Sequence, residues 1–204
     1  MKSKPSSLFI LILVHLYPIA GVILMGWDVF PVMFLFWSEN VVIGFYNVLR
    51  ILTCRPEEKV GWLVKLFTVP FFIFHYGGFT IGHGFFIIAL FARHVLVDAP
   101  GPKLDVLMQT LRQYKLPYAI IALFLSHGYS FIVNYLGKGE YRRYNISMLM
   151  KHPYTRIILL HITLVLGGGL VMILKSPVAG LVLLILLKIG LDIRAHIKEH
   201  RKQG

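Results

Sequence analysis

The sequence predicts an all-α, polytopic membrane protein with six transmembrane helices and short interfacial helices, because of its composition and its six long apolar runs. Of the 204 residues, 57% are hydrophobic and only 15% are charged, whereas a soluble domain carries about 25% charged residues. So little polar surface cannot cover a core in water, which excludes a soluble enzyme. The six runs are each long enough to cross about 30 Å of hydrocarbon, which takes roughly 20 residues. We therefore expect residues 1–204 to form a single six-helix transmembrane domain.

The net charge and the cysteine content narrow the classes of function further. A net charge of +12 would suit a nucleic-acid partner. In membrane proteins, however, Lys and Arg gather in cytoplasmic loops, so no nucleic-acid partner is expected. The single cysteine, Cys54, excludes an intramolecular disulfide and a cysteine-based metal cluster.

The six predicted spans differ in length and in their flanking residues. The first follows Lys2 and Lys4 as a signal peptide would, but it is too long and lacks an Ala-x-Ala cleavage site, so we expect it to be retained. The third exceeds a single crossing, so it tilts, kinks near Pro70 or projects from the bilayer. In chain order the spans are Leu8–Met25, Phe30–Leu52, Leu63–Ala92, Leu116–Leu136, Ile157–Leu174 and Pro177–Ile197.

Lys and Arg are distributed unequally between the two sides of the predicted membrane. Fifteen flank the spans on the side of both termini and five on the other side, which predicts a cell-membrane protein with both termini in the cytoplasm. The fifteen are Lys2, Lys4, Arg50, Arg55, Lys59, Lys65, Lys138, Arg142, Arg143, Lys151, Arg156, Arg194, Lys198, Arg201 and Lys202. The five are Arg93, Lys103, Arg112, Lys115 and Lys175.

One loop on each side carries a helical pattern. In the outer loop, after the breaker Pro100-Gly101-Pro102, apolar residues recur at helical spacing and predict a short helix in the membrane interface. In the inner loop, one predicted helix face carries aromatic residues among basic ones, which suits an anionic leaflet surface. The outer set is Leu104, Leu107, Met108 and Leu111, and the inner set is Tyr141, Tyr144, Met148 and His152. Either loop could instead be an ordinary linker.

Ionisable side chains fall near the middle of five of the six predicted spans. A charge in hydrocarbon costs about 2.5–3.5 kcal/mol on the insertion scale, so such a group marks a function by default. The expected centres lie near residues 16, 40, 77, 126, 165 and 187, and His161 lies about one turn nearer the cytoplasm than its centre. The groups nearest the other centres are His15, Glu39, His75, His127 and Lys188.

Neutral imidazoles and one carboxylate at one depth suffice as ligands for a divalent transition metal, zinc or iron. The predicted ligands are Glu39, His75 and His127, with His15 or His161 as a fourth ligand or a supporting hydrogen-bond donor. A metal would also keep Glu39 ionised, whereas an isolated carboxyl in hydrocarbon stays protonated. The alternative is that each histidine bonds to a neighbouring helix and that Glu39 pairs with Lys188.

The fourth span adds a polar stripe. His127, Ser130 and Asn134 are spaced i, i+3 and i+7, which aligns them on one face of a helix. Ser130 and Asn134 are the predicted catalytic residues, with the role of orienting metal ligands or substrate. No HExxH or GxSxG signature accompanies them, so enzymatic activity stays open.

The third span carries two histidines and four glycines. His75 and His83 lie about 12 Å apart along a regular helix, so they cannot share a metal unless the glycines break that helix. His83 falls on a face with Tyr76 and Thr80. Gly77, Gly78, Gly82 and Gly84 would let another backbone or a ligand approach closely.

Two short runs carry a resemblance to a known family. The Trp37-Ser38-Glu39-Asn40 run and the Ser126-His127-Gly-Tyr-Ser130-Phe131-x-x-Asn134 run resemble a family of small prokaryotic multi-pass membrane proteins that is known only as a domain of unknown function. The resemblance covers most of the chain. It implies a cell-membrane protein of about this size, and it brings no activity or substrate.

Three functions from different classes fit these residues. The first is an intramembrane metal site, which could be a metal-dependent hydrolase acting on a lipid or a membrane peptide through metal-activated water. The second is a small proton-coupled transporter with Glu39 and Lys188 as the titrating pair and histidines as a relay, in which dimerisation could compensate for the small size. The third is a non-catalytic membrane assembly subunit, whose polar layer only sets the register of the helices.

Overall fold

The structure is a computed structural model that describes residues 20, 21, 24, 26–55, 60–92, 96, 101–174, 186 and 190. Within these residues the secondary structure is helical, with no strand, which confirms the all-α prediction. The chain divides into two compact units, one of Met1–Val32 with His161–Gly204 and the other of Met33–Leu160. The second unit contains most of the described residues and is the one considered below.

Five α-helices follow one another along the described chain. The fourth continues without a break as a π-helix over Phe131–Gly137, and a 3₁₀ turn at Glu140–Arg142 precedes the fifth. The α-helices are α1 Val29–Thr53, α2 Val60–Phe91, α3 Lys103–Gln113, α4 Leu116–Ser130 and α5 Ile146–Leu174.

Three helical segments are long and apolar enough to cross a membrane, namely Val29–Thr53, Gly61–Phe91 and Leu116–Gly137. They coincide with the second, third and fourth predicted spans. Residues 157–174, predicted as the fifth span, form the second half of the longer helix α5. The first and sixth predicted spans fall mostly outside the described residues, so six crossings stay a prediction.

The two predicted loop helices have different outcomes. In the predicted outer loop, α3 begins directly after Pro102, and a left-handed Lys115 (φ 54°) separates it from α4; its position in a membrane interface stays a prediction. In the predicted inner loop, no single helix spans residues 141–152. Gly139 is left-handed (φ 72°) and ends the preceding helix, and Asn145 Oδ1 accepts the Met148 N–H at 2.8 Å to start α5. The prediction of one helix face over Tyr141, Tyr144, Met148 and His152 was wrong, because α5 begins at Ile146, between these residues.

α1 packs antiparallel to α2, as hydrogen bonds at successive levels show. The Trp37 indole donates to the Thr80 carbonyl at 2.7 Å, and the Tyr76 hydroxyl donates to the Asn40 carbonyl at 3.0 Å. Further along α1, the Lys65 ammonium donates to carbonyls at its C-terminal end. Each bond gives a side-chain donor an acceptor, which hydrocarbon could not supply.

α1 runs parallel to α4 and contacts it at two levels. The Tyr46 hydroxyl donates to the Phe124 carbonyl at 2.9 Å. Towards the ends of both helices, the Tyr135 hydroxyl donates to the Arg50 carbonyl at 2.9 Å. Tyr135 is fully buried, so this contact anchors the π-helical segment against α1.

α1 also packs antiparallel to α5, and these two helices enclose a hydrophobic cluster with α2. Asn47 Nδ2 donates to the Leu149 carbonyl at 3.0 Å. The buried members of the cluster are Ile51, Cys54, Phe72, Tyr76, Leu149 and Ile157. α1 therefore contacts three other helices, which makes it the central helix of this unit.

Gly44 is the tightest contact between α1 and α2. A Cβ at Gly44 would lie 2.5 Å from Cε1 of the Tyr76 ring, and Tyr76 is itself buried. We expect Gly44→Ala to destabilise the protein by about 1–3 kcal/mol, because a rigid aromatic ring has to move. Thermal unfolding of the purified protein in detergent measures the change.

Gly82 on α2 is the matched control for Gly44. A Cβ there meets no described atom within 4 Å. Gly82→Ala should therefore leave stability unchanged or raise it by up to about 1 kcal/mol, since alanine favours a helix over glycine. Equal loss of stability in both variants would contradict the packing described here.

The end of α1 is closed by a buried lysine beside the one cysteine. Lys65 is 6% exposed, and its ammonium donates to the Leu52 carbonyl at 2.9 Å and also to the Cys54 carbonyl. The C-terminal end of a helix carries a partial negative charge, which stabilises a cation there. Burial raises the pKa of the Cys54 thiol, and the Lys65 charge opposes that rise. Cys54 is thus a thiol with little thiolate.

Cys54 should react slowly with N-ethylmaleimide in the folded protein. The thiol is 1% exposed, and only the thiolate is nucleophilic. We expect labelling to be at least about tenfold slower in mild detergent than in sodium dodecyl sulfate, and Lys65→Met to narrow that gap by opening the end of α1. Mass spectrometry over time follows the reaction. Labelling at the denatured rate would contradict the burial.

Candidate functional site

An ion pair joins the centre of α1 to α5. Arg156 Nη1 donates to Glu39 Oε1 at 3.4 Å, and the two side chains are 34% and 13% exposed, respectively. Glu39 is the eleventh residue of a 25-residue helix of membrane-crossing length. In a low-dielectric setting the attraction between the two charges stabilises such a pair, because water solvates neither group fully.

His127 on α4 belongs to the same electrostatic neighbourhood. Both Glu39 and Arg156 lie close enough to interact with the His127 charge. Its Nδ1–H donates to the Leu123 carbonyl at 3.0 Å, and its ring stacks on Tyr46 with centroids 6.4 Å apart. With the proton on Nδ1, the neutral imidazole keeps a lone pair on Nε2. His127 can therefore accept a proton or ligate a metal through Nε2.

A second set of polar contacts connects α2 to α5. His75 Nδ1 and the Tyr154 hydroxyl share a hydrogen bond of 2.8 Å. The Tyr76 and Tyr154 rings meet edge to face, with centroids 5.9 Å apart, and Tyr76 interacts electrostatically with Glu39 and Arg156. Tyr76 therefore lies between the His75–Tyr154 bond and the ion pair.

Asn40 leaves one polar atom without a partner. Its side chain is 4% exposed, and its Nδ2 donates to the Phe36 carbonyl at 2.9 Å. Its Oδ1 is buried and has no hydrogen-bond donor among the described residues. An unmade hydrogen bond at such a site costs about 1–3 kcal/mol. A water molecule or a bound solute that donates a hydrogen bond would remove that cost.

The predicted metal ligands are only partly brought together. Glu39 and His127 interact electrostatically, while His75 is exposed and bonds to Tyr154. His161 is exposed and belongs to the other compact unit, and His15 lies outside the described residues. Within the described part of the chain, no group of three His, Cys, Asp or Glu side chains could hold a metal ion.

The second histidine of α2 has a local partner. α2 is continuous through its glycines, so His75 and His83 stay separated along one helix, as the spacing predicted. The His83 Nδ1–H donates to the Phe79 carbonyl at 2.7 Å. Tyr76, Thr80 and His83 are all buried, which confirms the predicted shared face.

The predicted catalytic pair bond to each other. Asn134 Nδ2 donates to Ser130 Oγ at 3.3 Å, and the Lys138 ammonium donates to Asn134 Oδ1. Ser130 ends the α-helical part of α4 and Asn134 lies in the π-helix, so the i+7 spacing from His127 does not follow the 3.6-residue repeat. A π-helical segment is rare and is common at functional sites. A catalytic role for the pair stays a prediction.

Arg156 is the site residue that sequence reasoning missed. It was counted among the inner-loop cations, and Lys188, which lies outside the described residues, was the predicted partner of Glu39. α5 begins at Ile146, so Arg156 is about two turns beyond Leu149, the partner of Asn47. The N-cap residue Asn145, eleven residues before Arg156, was the sequence signal that could have placed Arg156 in a helix.

The glycines of α2 differ in their surroundings, since Gly77 borders a groove and Gly84 lies close to another helix. A groove of about 380 Å³ runs between α1 and α2, and neither Glu39 nor His127 lines it. Gly77 borders this groove, whereas a Cβ at Gly84 would lie 2.9 Å from the Trp37 ring. Of the four glycines predicted to allow close approach, Gly84 is the one with a described neighbour, Trp37, within 4 Å of a Cβ at its position.

Within the described residues, the fold and the site define a helical protein with three apolar helices of membrane-crossing length and a partly buried ion pair between α1 and α5. Over residues 1–204 the chain matches the Family of unknown function (DUF6498), and it belongs to that family. The resemblance to a family of unknown function is thereby confirmed. Neither a search of curated proteins nor a search of solved structures gives a match.

Proposed function

We propose that this protein is an integral membrane carrier that couples solute movement to protons, with Glu39 as the proton-binding group and Arg156 as its counter-ion. The observation that carries the proposal is the 3.4 Å ion pair at the middle of the central apolar helix. An ionisable pair at that depth is costly to insert, so its presence marks a function by default. Arginine stays protonated, so the charge of the pair changes only through Glu39.

Protonation of Glu39 changes what Arg156 attracts. A neutral carboxyl no longer balances the guanidinium, which then presents unneutralised N–H donors in a poorly solvated interior. An anion that arrives with the proton restores neutrality, so the expected solute is an anion that moves in the same direction as the proton. His127, through Nε2, can pass the proton to or from Glu39. The unpartnered Asn40 Oδ1 offers an acceptor for a donor group on the solute.

Proton flux in liposomes tests this function. Purified protein is reconstituted with pyranine inside, and succinate, lactate or phosphate is added outside at equal pH. We expect internal acidification with at least one of these anions, and at least about a tenfold slower rate for Glu39→Gln, which cannot bind the coupling proton. Asp105→Asn, an exposed carboxylate on α3, is the control and should keep the wild-type rate.

The contrary result separates the carrier from an assembly subunit. If wild type, Glu39→Gln and Asp105→Asn all fold and none of them acidifies the liposomes with any of the anions, a carrier for these solutes is ruled out. If substitutions at Glu39 and Arg156 then change only thermal stability, the ion pair serves the register of the helices. That outcome would favour the non-catalytic assembly subunit.

A metal-dependent function is the second candidate, favoured by the electrostatic interaction of Glu39 with His127 and by the lone pair on His127 Nε2. Zinc or iron there would supply an activated water for hydrolysis of a lipid or a membrane peptide. The guanidinium of Arg156 on Glu39 opposes it, because it repels a dication. Metal analysis of purified protein tests it: metal content near zero in the wild type would end this reading. Stoichiometric metal that disappears in Glu39→Gln and His127→Ala would displace the carrier.

The positions of Lys and Arg support an orientation for the carrier. We infer a cell-membrane protein with both termini in the cytoplasm, so that α1 and α4 end on the cytoplasmic side. Cysteine substitutions at exposed Arg55 and exposed Leu104, labelled in cells with a membrane-impermeant maleimide, test this arrangement. Labelling from outside at Leu104 and not at Arg55 is expected.

A further inference from the structure

Three arginines gather around two tyrosines at the end of α1 and α4. The Arg50 guanidinium lies over the Tyr135 ring at 5.4 Å from its centroid. The Arg55 and Arg142 guanidinium groups lie 5.7 Å and 5.5 Å from the centroid of Tyr141. The two tyrosine rings are themselves 6.4 Å apart. Arg50, Arg55 and Arg142 are called the arginine cluster below.

The arginine cluster has no carboxylate partner in the described part of the chain. The one ion pair described joins Arg156 to Glu39, and Glu140, which precedes Arg142 by two residues, pairs with none of the three. Arg50 Nε is buried and has no acceptor among the described residues. The pKa of the Tyr141 phenol is lowered by the hydrogen bond from Arg142 and by the charges of Arg142 and Arg55. Among the residues that the structure describes, no carboxylate therefore neutralises the positive charge of the cluster.

The position of the cluster selects the chemistry of its partner. Arg50 is in the last turn of α1, and Arg142 follows the end of the π-helix at Gly137. Both helical segments are of membrane-crossing length, so the cluster lies at the level of lipid headgroups. Guanidinium groups bind phosphate through paired, charge-assisted hydrogen bonds, and tyrosines are common at this depth.

We propose that the arginine cluster binds the phosphate of an anionic phospholipid headgroup. Phosphate oxygens would accept hydrogen bonds from the arginine N–H groups, including the unpartnered Nε of Arg50, while the tyrosines hold the guanidinium planes. The adjacent Arg143, which is exposed, adds to the charge that attracts an anionic lipid. This binding does not depend on the carrier function, because Glu39 and Arg156 are not part of the cluster.

Lipid titration of the full-length protein in detergent tests this proposal. Native mass spectrometry measures binding of phosphatidylglycerol and of phosphatidylcholine to wild type and to the triple variant Arg50→Gln, Arg55→Gln, Arg142→Gln. Each arginine near a membrane surface contributes about fivefold in affinity, so the triple variant should bind phosphatidylglycerol about a hundredfold more weakly. Wild type should prefer phosphatidylglycerol to phosphatidylcholine.

A second triple variant, in the predicted outer loop, removes the same number of positive charges on the opposite side of the membrane. Lys103→Gln, Arg112→Gln, Lys115→Gln should bind phosphatidylglycerol as wild type does. If the first triple variant does not fold, Arg55→Gln alone changes an exposed side chain and should weaken binding about fivefold.

Three results would overturn the assignment. These are equal binding of the two lipids to wild type, unchanged phosphatidylglycerol binding in the arginine variants, and an equal loss in the matched control. Inorganic phosphate is added in a parallel thermal-unfolding arm. Stabilisation by free phosphate as strong as that by phosphatidylglycerol would assign the site to a soluble anion instead of a lipid.

Discussion

Arg156→Met should destabilise the folded protein by about 3 kcal/mol in detergent. Removing one partner of a buried ion pair costs about 3–5 kcal/mol, because the remaining charge loses that stabilising interaction. Because the Arg156 side chain is 34% exposed, we expect the lower end of that range. Glu39 is 13% exposed and would carry most of the penalty, or take up a proton to avoid it. Thermal unfolding monitored by circular dichroism gives the change.

A double-mutant cycle shows whether the loss belongs to the ion pair. Glu39→Gln alone should also destabilise, since it leaves Arg156 without its counter-ion. The double variant Glu39→Gln, Arg156→Met should recover much of the loss, because no charge is then left unpaired. Arg143→Met, an exposed arginine without a described ion pair, serves as control. Additive losses in the double variant would mean that the two side chains do not depend on each other.

Tyr76→Ala should destabilise the protein by about 3 kcal/mol. The Tyr76 ring is 3% exposed and stacks on Phe72 with centroids 4.8 Å apart, and its hydroxyl bonds to the Asn40 carbonyl. Truncating a buried aromatic residue costs about 3–5 kcal/mol in water-soluble proteins. Between membrane helices the loss is mainly of packing contacts, so the lower value is expected. Thermal unfolding in the same detergent measures it.

Tyr76→Phe separates packing from hydrogen bonding at this position. It keeps the ring and removes one hydrogen bond, so it should cost about 1 kcal/mol. Tyr118→Ala on α4 is the control, since its side chain is 74% exposed. It should change stability by less than about 0.5 kcal/mol. A Tyr76→Ala loss no larger than that of Tyr118→Ala would show that α1 and α2 do not pack through this ring.

Apolar length predicted the second, third and fourth spans within a few residues, because a helix that crosses hydrocarbon has to satisfy its own backbone and present apolar side chains. The same reasoning failed where two helices are joined. Asn145 caps α5, which begins at Ile146, eleven residues before the predicted span. A helix that begins outside the apolar run leaves no mark in hydropathy, so its first turns were read as a loop.

The position of Glu39 along its helix was predictable, and its partner was not. Glu39 and His127 were predicted to share a level in the membrane, which stays a prediction, and in the structure the two groups interact electrostatically. The partner of Glu39 depends on which helix packs beside α1 and in which register. That choice is made by contacts such as Asn47 with Leu149, between residues about a hundred positions apart in the sequence.

The sequence by itself determined the all-α class, the apolar helices and the position of Glu39 near the middle of one of them, since these follow from local composition and from the 3.6-residue repeat. Only the tertiary structure decided that Arg156 faces Glu39, that His75 bonds to Tyr154, and that α4 ends as a π-helix. Rotation and register of packed helices depend on side-chain fit over long sequence separations, as between Gly44 and the Tyr76 ring. Periodicity along one helix carries no information about that fit.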